Sequence, residues 1–140
     1  MTRIALAAAL AILCSSASVH AAGPAVLTLA FDPAATTGTV MVSLFDSESA
    51  YLSGKPVRQA TVKIADGERS AVFAGLNPGR YAAKAFHDVN GDGKMNLNPF
   101  GLPIEPVAFS NNATANMGPA SWDRAQLMVS GNTAQTIVIR

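Results

Sequence analysis

Only one cysteine, Cys14, and two histidines, His20 and His87, occur in the 140 residues. Cys14 and His20 both fall in an N-terminal segment that reads as a signal peptide, so the rest of the chain is expected to carry one histidine and no cysteine. That excludes disulfide staples, a two-histidine zinc site and a Cys–His nucleophile pair. Charge of either sign is also scarce: 10 basic residues stand against 9 acidic ones, and loss of Arg3 with the signal would make the counts equal. With no basic surplus to neutralise phosphates or anionic lipid, binding to nucleic acid or a membrane surface is not expected. Beyond the N-terminal segment no apolar run is long enough to span a bilayer.

In that segment Arg3 is a short basic region, and Ile4 to Leu13 is an uncharged apolar run. Small and polar residues follow, with Val19-His20-Ala21 fitting a small-x-small cleavage site. This order is that of a secretory signal, and a run of about ten apolar residues is too short to cross a membrane. Leu13 stands before Cys14 where a lipoprotein signal would have a small residue. The expectation is a periplasmic or secreted protein, with residues 1–21 as signal and 22–140 as one compact domain.

Short apolar–polar alternations fill that domain, separated by Gly, Pro, Asn and Asp. Leu27, Leu29 and Phe31 point one way, as do Val40, Val42 and Leu44, and then Ala60, Val62 and Ile64. Ala71 and Phe73 mark a fourth strand, and Tyr81, Ala83 and Ala85 a fifth after the turn Gly75-Leu76-Asn77-Pro78-Gly79. Ala125, Leu127 and Val129 precede a turn at Gly131-Asn132, and Ile137 and Ile139 follow it. A period of two is the signature of half-buried strands, and seven of them with turns between predict an all-β, two-sheet sandwich. No helical period appears, apart from one turn over Ser121 to Gln126. One long irregular loop, from about Asp88 to Ser121, is left over, and loops of that length are usually functional or ordered by a ligand.

The start of this loop carries the most specific chemistry. Calcium takes six to eight oxygens from carboxylates, amides and backbone carbonyls. Asp88, Asn90 and Asp92 occupy positions one, three and five of the calcium-loop pattern, with Gly93 at the sixth for the sharp turn. The Lys94 carbonyl and the Asn96 side chain fall at seven and nine. Position twelve is Pro99, without a carboxylate, so Glu105 is the candidate that would fold back to close the site. A plain turn is the competing reading, since Asn, Asp and Gly favour left-handed backbone with or without a metal.

His87 alternates with the inward residues Tyr81, Ala83 and Ala85, which predicts a hydrogen-bonded histidine at the rim of the core. No nucleophile-elbow motif surrounds Ser110 or Ser121, so a triad of either with His87 and Asp123 is not expected. Phe100, Phe109 and Trp122 are read as pinning the long loop to the body, with a ligand-contacting aromatic surface as the alternative. Asn112-Ala113-Thr114 matches a glycosylation sequon that a bacterial signal would make irrelevant.

Four blocks in order, Gly75-Leu76-Asn77-Pro78-Gly79-Arg80-Tyr81, Phe86 to Lys94, Gly101-Leu102-Pro103-Ile104-Glu105-Pro106 and Phe109-Ser110-Asn111-Asn112, resemble the DUF2141 family of small exported bacterial proteins. The resemblance covers about Leu27 to Ile139. It implies a sandwich of the immunoglobulin-like or transthyretin-like kind, and it transfers no activity. Asn96 departs from the family, which usually places Asp there; this removes one carboxylate and lowers the expected metal affinity. Transthyretin-like hydrolases need several histidines and a characteristic C-terminal tetrapeptide, whereas this chain ends Ile137-Val138-Ile139-Arg140.

The expected function is therefore a binding or structural module, not an enzyme, whose loop is ordered by calcium through Asp88, Asn90, Asp92, Lys94, Asn96 and Glu105. Its partner would be a protein or cell-envelope ligand. The alternatives are a hydrolase or carbohydrate-processing enzyme using His87, Asp88 and Glu105, and a subunit that adds strands to a partner's sheet.

Overall fold

The computed structural model describes residues 23–140; the expected signal segment, residues 1–21, lies outside them. Eight strands form two sheets. They are β1 (Ala25–Pro33), β2 (Thr39–Phe45), β3 (Arg58–Lys63), β4 (Ser70–Leu76), β5 (Gly79–Asp88), β6 (Val107–Phe109), β7 (Leu127–Val129) and β8 (Asn132–Ile139). The three-stranded sheet runs β4-β1-β8, with β1 and β8 parallel. The five-stranded sheet runs β3-β2-β5-β6, and β7 joins the β5 edge at Gly79–Tyr81.

The expected alternations are the strands found, and they face inward as the period of two requires. Leu27, Leu29 and Phe31 from one sheet meet Val40, Val42, Leu44, Ala83 and Ala85 from the other in a single buried core. The eighth strand, β6, was not expected. At three residues it is too short to show a period, and its pairing with Lys84–Phe86 comes from the fold around it.

A second, smaller cluster lies on the outer face of the five-stranded sheet. There α1 (Glu48–Ser53) and α2 (Trp122–Ala125) pack Tyr51, Trp122 and Ala125 on Phe45, Ala82 and Phe109. The single turn expected near Ser121 is α2. α1 was not expected, although its ends are marked: Ser47 Oγ accepts the N–H of Ala50 at 3.3 Å, and Gly54 closes the helix in the left-handed region at φ 67°. Phe45, Tyr51 and Trp122 stack edge to face, and the Tyr51 hydroxyl donates to the Ala120 carbonyl at 2.7 Å. Burial pushes that phenol up to about 12. No helix among the described residues is long and apolar enough to cross a membrane.

The turn between β1 and β2 locks against the root of the long loop. A Cβ on Gly38, at φ 74°, would stand 2.1 Å from the Asp88 carbonyl oxygen and 2.8 Å from the Val89 Cα. Only glycine lets the two backbones come this close.

Candidate functional site

β5 ends at Asp88, whose carboxylate is buried and turns the chain. Its Oδ1 accepts the N–H groups of Gly91 at 2.7 Å and Asp92 at 3.2 Å, and its Oδ2 accepts that of Gly93 at 2.7 Å. Gly91 and Gly93 supply the positive φ that points these amides inward, at 75° and 77°. The other expected oxygen ligands gather on the exposed side of the turn. Asn90 Nδ2 donates to Asn96 Oδ1 at 2.9 Å, and Asn96 Nδ2 donates to Asp92 Oδ2 at 2.9 Å. Asp92 Oδ1 accepts the Lys94 N–H at 2.9 Å. The Asn96 amide, then the Lys94 N–H, hold the Asp92 carboxyl below the usual carboxylate range. Lys94 itself lies exposed at the tip.

Glu105 does fold back, but onto the backbone. Its Oε1 accepts the Val89 N–H at 3.2 Å and its Oε2 the Asn96 N–H at 3.0 Å, so one carboxylate ties both ends of the turn. Between Asn96 and Glu105 the chain makes a small hairpin, with Leu97 bridged to Pro103 and the Ile104 N–H donating to the Asn96 carbonyl. Asp88, Asp92 and Glu105 do not come together as a three-carboxylate cluster, and no such group of three potential metal ligands exists among the described residues. A carboxylate has about four lone-pair sites. The three amides on Asp88 therefore leave it one for a cation; Asp92, whose Oδ2 also accepts Asn90 Nδ2 at 3.4 Å, has three donors and is left one likewise.

His87 is fully buried on the core face, as its place in the alternation predicts. Its Nε2 donates to the Thr37 carbonyl at 2.7 Å, which leaves Nδ1 buried without a partner. Consecutive strand residues point to opposite faces, so His87 and Asp88 are directed apart, not toward a shared cleft. Phe109 and Trp122 are buried in the outer cluster and pin the loop, whereas Phe100 is 88% exposed.

Two residues that periodicity did not reveal organise the far end of the loop. Asn111 and Asn112 both take left-handed backbone, with φ 59° and 49°. Asn112 Oδ1 accepts the Val138 N–H at 2.8 Å and its Nδ2 donates to the Thr136 carbonyl at 3.0 Å, so a side chain pairs with β8 as a strand would. Beside them, Ser110 Oγ accepts the Ala83 N–H at 2.8 Å and donates to the Ala125 carbonyl. Adjacent asparagines are the signal that was available, since Asn tolerates this backbone better than most residues.

The outer face of the five-stranded sheet also floors an apolar groove of about 810 Å³, with Met41, Phe45 and Phe86 below and Met95, Leu102 and Met117 on its walls. Among the described residues, Lys84 is the one charged residue lining it.

Fold and loop together define a two-sheet, all-β protein whose longest loop is folded around its own carboxylates. Within that class the chain belongs to the DUF2141 family: residues 32–137 match the family described as an uncharacterized protein conserved in bacteria. No curated protein and no solved structure matches the chain.

Proposed function

We propose that this is an exported, periplasmic or secreted, binding or structural module, not an enzyme, built as an immunoglobulin-like sandwich whose loop after β5 is ordered by calcium. Supporting the immunoglobulin-like assignment, the Tyr81 hydroxyl donates to the Asn77 carbonyl, four residues upstream, at 2.9 Å. Immunoglobulin domains use the same device at a strand corner. The signal-like N-terminus supports export.

The observation that carries the calcium reading is the contact of Asn90, Asp92 and Asn96 through their side chains. Positions three, five and nine of the pattern thus already face one another. Turning the two Asn amides would direct oxygens, in place of N–H groups, at the Asp92 carboxylate's side of the turn. A hard cation there would take Asp88, Asn90, Asp92, the Lys94 carbonyl and Asn96, with water completing the shell. Glu105 braces both ends of the turn, and a cation that drew it in would gain a third carboxylate. The cation's role is structural. Binding only the folded state, it stabilises the domain by about 2.7 kcal/mol at a hundredfold excess over Kd.

The test is thermal unfolding in excess calcium and in chelator, with calorimetric titration alongside. A higher midpoint in calcium and a saturable heat are expected. Equal midpoints with no heat remove calcium from the reading and leave the module.

A further inference from the structure

We infer that the groove on the outer face of the five-stranded sheet binds a small amphipathic anion, a carboxylate on a single aliphatic chain, with Lys84 receiving the charged end. Size comes first: about 810 Å³ lies within the range of small-molecule sites. The groove is concave, floored by alternate residues of β2, β5 and β6 and walled by two loops, one holding Met95 and Leu102 and the other Met117.

The lining chooses the body of the ligand. Three of the chain's five methionines, Met41, Met95 and Met117, line it, and thioether side chains adapt to a flexible aliphatic shape. Apart from Lys84, only Ser43 among the described residues brings a polar side chain to the lining. A sugar or nucleobase would lose its hydrogen bonds to water here and regain few.

Lys84 chooses the head. It projects from the outer face of β5, half-buried, and donates to the Tyr51 carbonyl at 2.7 Å. Its Nζ lies 3.9 Å from the Tyr51 ring centroid and 5.1 Å from that of Phe45. Aromatic faces and one carbonyl only partly replace the water such a cation has lost. Among the described residues it forms no salt bridge. Burial holds its ammonium below the ordinary lysine range, which an arriving carboxylate would reverse. A lysine carries three donors, so two remain for a charge-assisted bond. The groove needs no cation in the neighbouring turn, so this inference and the calcium reading stand or fall separately.

The experiment is calorimetric titration of the protein in chelator with dodecanoate, below its micelle concentration, and with dodecyltrimethylammonium. Saturable one-to-one binding of dodecanoate is expected, weaker by about tenfold or more for the cationic chain, since one charged hydrogen bond is at stake. Lys84→Met should weaken dodecanoate by a similar factor and erase the preference. Ser43→Phe fills the groove floor without touching the inter-sheet core, and should abolish binding of both while leaving the fold intact. The inference is overturned by absence of saturable dodecanoate binding, by equal affinity for the two chains, or by binding that survives Ser43→Phe. It is equally overturned if sedimentation shows a dimer that Ser43→Phe dissociates, because a second copy would then own the groove.

Discussion

Glu105 Oε2 accepts the backbone N–H of Asn96 at 3.0 Å, while its other oxygen holds Val89 at 3.2 Å. One buried carboxylate thus spans the turn that Asp88 folds from within. Glu105→Gln keeps the shape but sets an amide N–H₂ against one of two N–H donors. It should cost about 1–3 kcal/mol, the range for a buried donor left unpaired. Denaturant unfolding measures the loss, and hydrogen exchange should quicken at Val89 and Asn96 ahead of the strands. Unchanged exchange at those two amides would show that Glu105 is not the brace.

The two acidic residues of the turn should separate cleanly. Asp88→Ala strands three amides and should destabilise the protein by about 2–4 kcal/mol even in chelator. Asp92 is exposed, so Asp92→Ala should change stability in chelator far less than Asp88→Ala does. In calcium it should remove the rise in midpoint. Because the folded state holds the Asp92 carboxyl down, its contribution is present above the unfolded carboxyl's pKa and fades as pH falls through the folded value.

Gly38→Ala tests the contact between the β1–β2 turn and the loop's root. Left-handed strain and overlap with Asp88 and Val89 should together cost about 2–5 kcal/mol. Gly54→Ala is the control. It has a similar φ of 67° with nothing within 4 Å, so it should lose only about 1–2 kcal/mol. Equal losses at the two sites would mean the loop root yields.

Tyr51 sets an alkaline limit. An unfolded tyrosine ionises near its ordinary value of 10.0, whereas burial keeps the folded phenol protonated up to about 12. Between those values the unfolded state has lost a proton that the native state keeps, so stability falls as pH rises through the window. Ultraviolet titration of tyrosinate should show one of the two tyrosines ionising near 12, and Tyr51→Phe should remove that step.

The core strands were legible because Leu27, Val40, Val62, Phe73, Tyr81 and Ile137 repeat with a period of two, a local signal that survives folding. β6 was not, because Val107–Phe109 is too short to show a period and owes its strand form to pairing with β5. α1 was overlooked although Ser47 and Gly54 mark its ends; in six residues the apolar stripe reduces to Tyr51. In the loop, spacing marked Asp88, Asn90, Asp92, Asn96 and Glu105 as oxygen ligands; in the fold the side chains of Asn90, Asp92 and Asn96 touch one another, while Glu105 returns to the amides of Val89 and Asn96. Spacing could not show that Asp88 and Glu105 face amides, because donors on the backbone leave no trace in residue types. Lys84 was passed over for a similar reason. A lysine on an outward strand position reads as solvated, and only the fold reveals that Tyr51 and Phe45 half-cover it.

The parallel pairing of β1 with β8 has a consequence for how the chain is made. Val26 is partnered with Asn132 and Pro33 with Ile139, so the central strand of the three-stranded sheet waits for a partner made long after it. Until then the open flank of β1 offers unpaired N–H and C=O groups beside Leu27, Leu29 and Phe31, which is a template for aggregation. Such distant pairing folds slowly. A holdase that shields β1 during synthesis should therefore raise the yield of this protein more than any substitution in its loops.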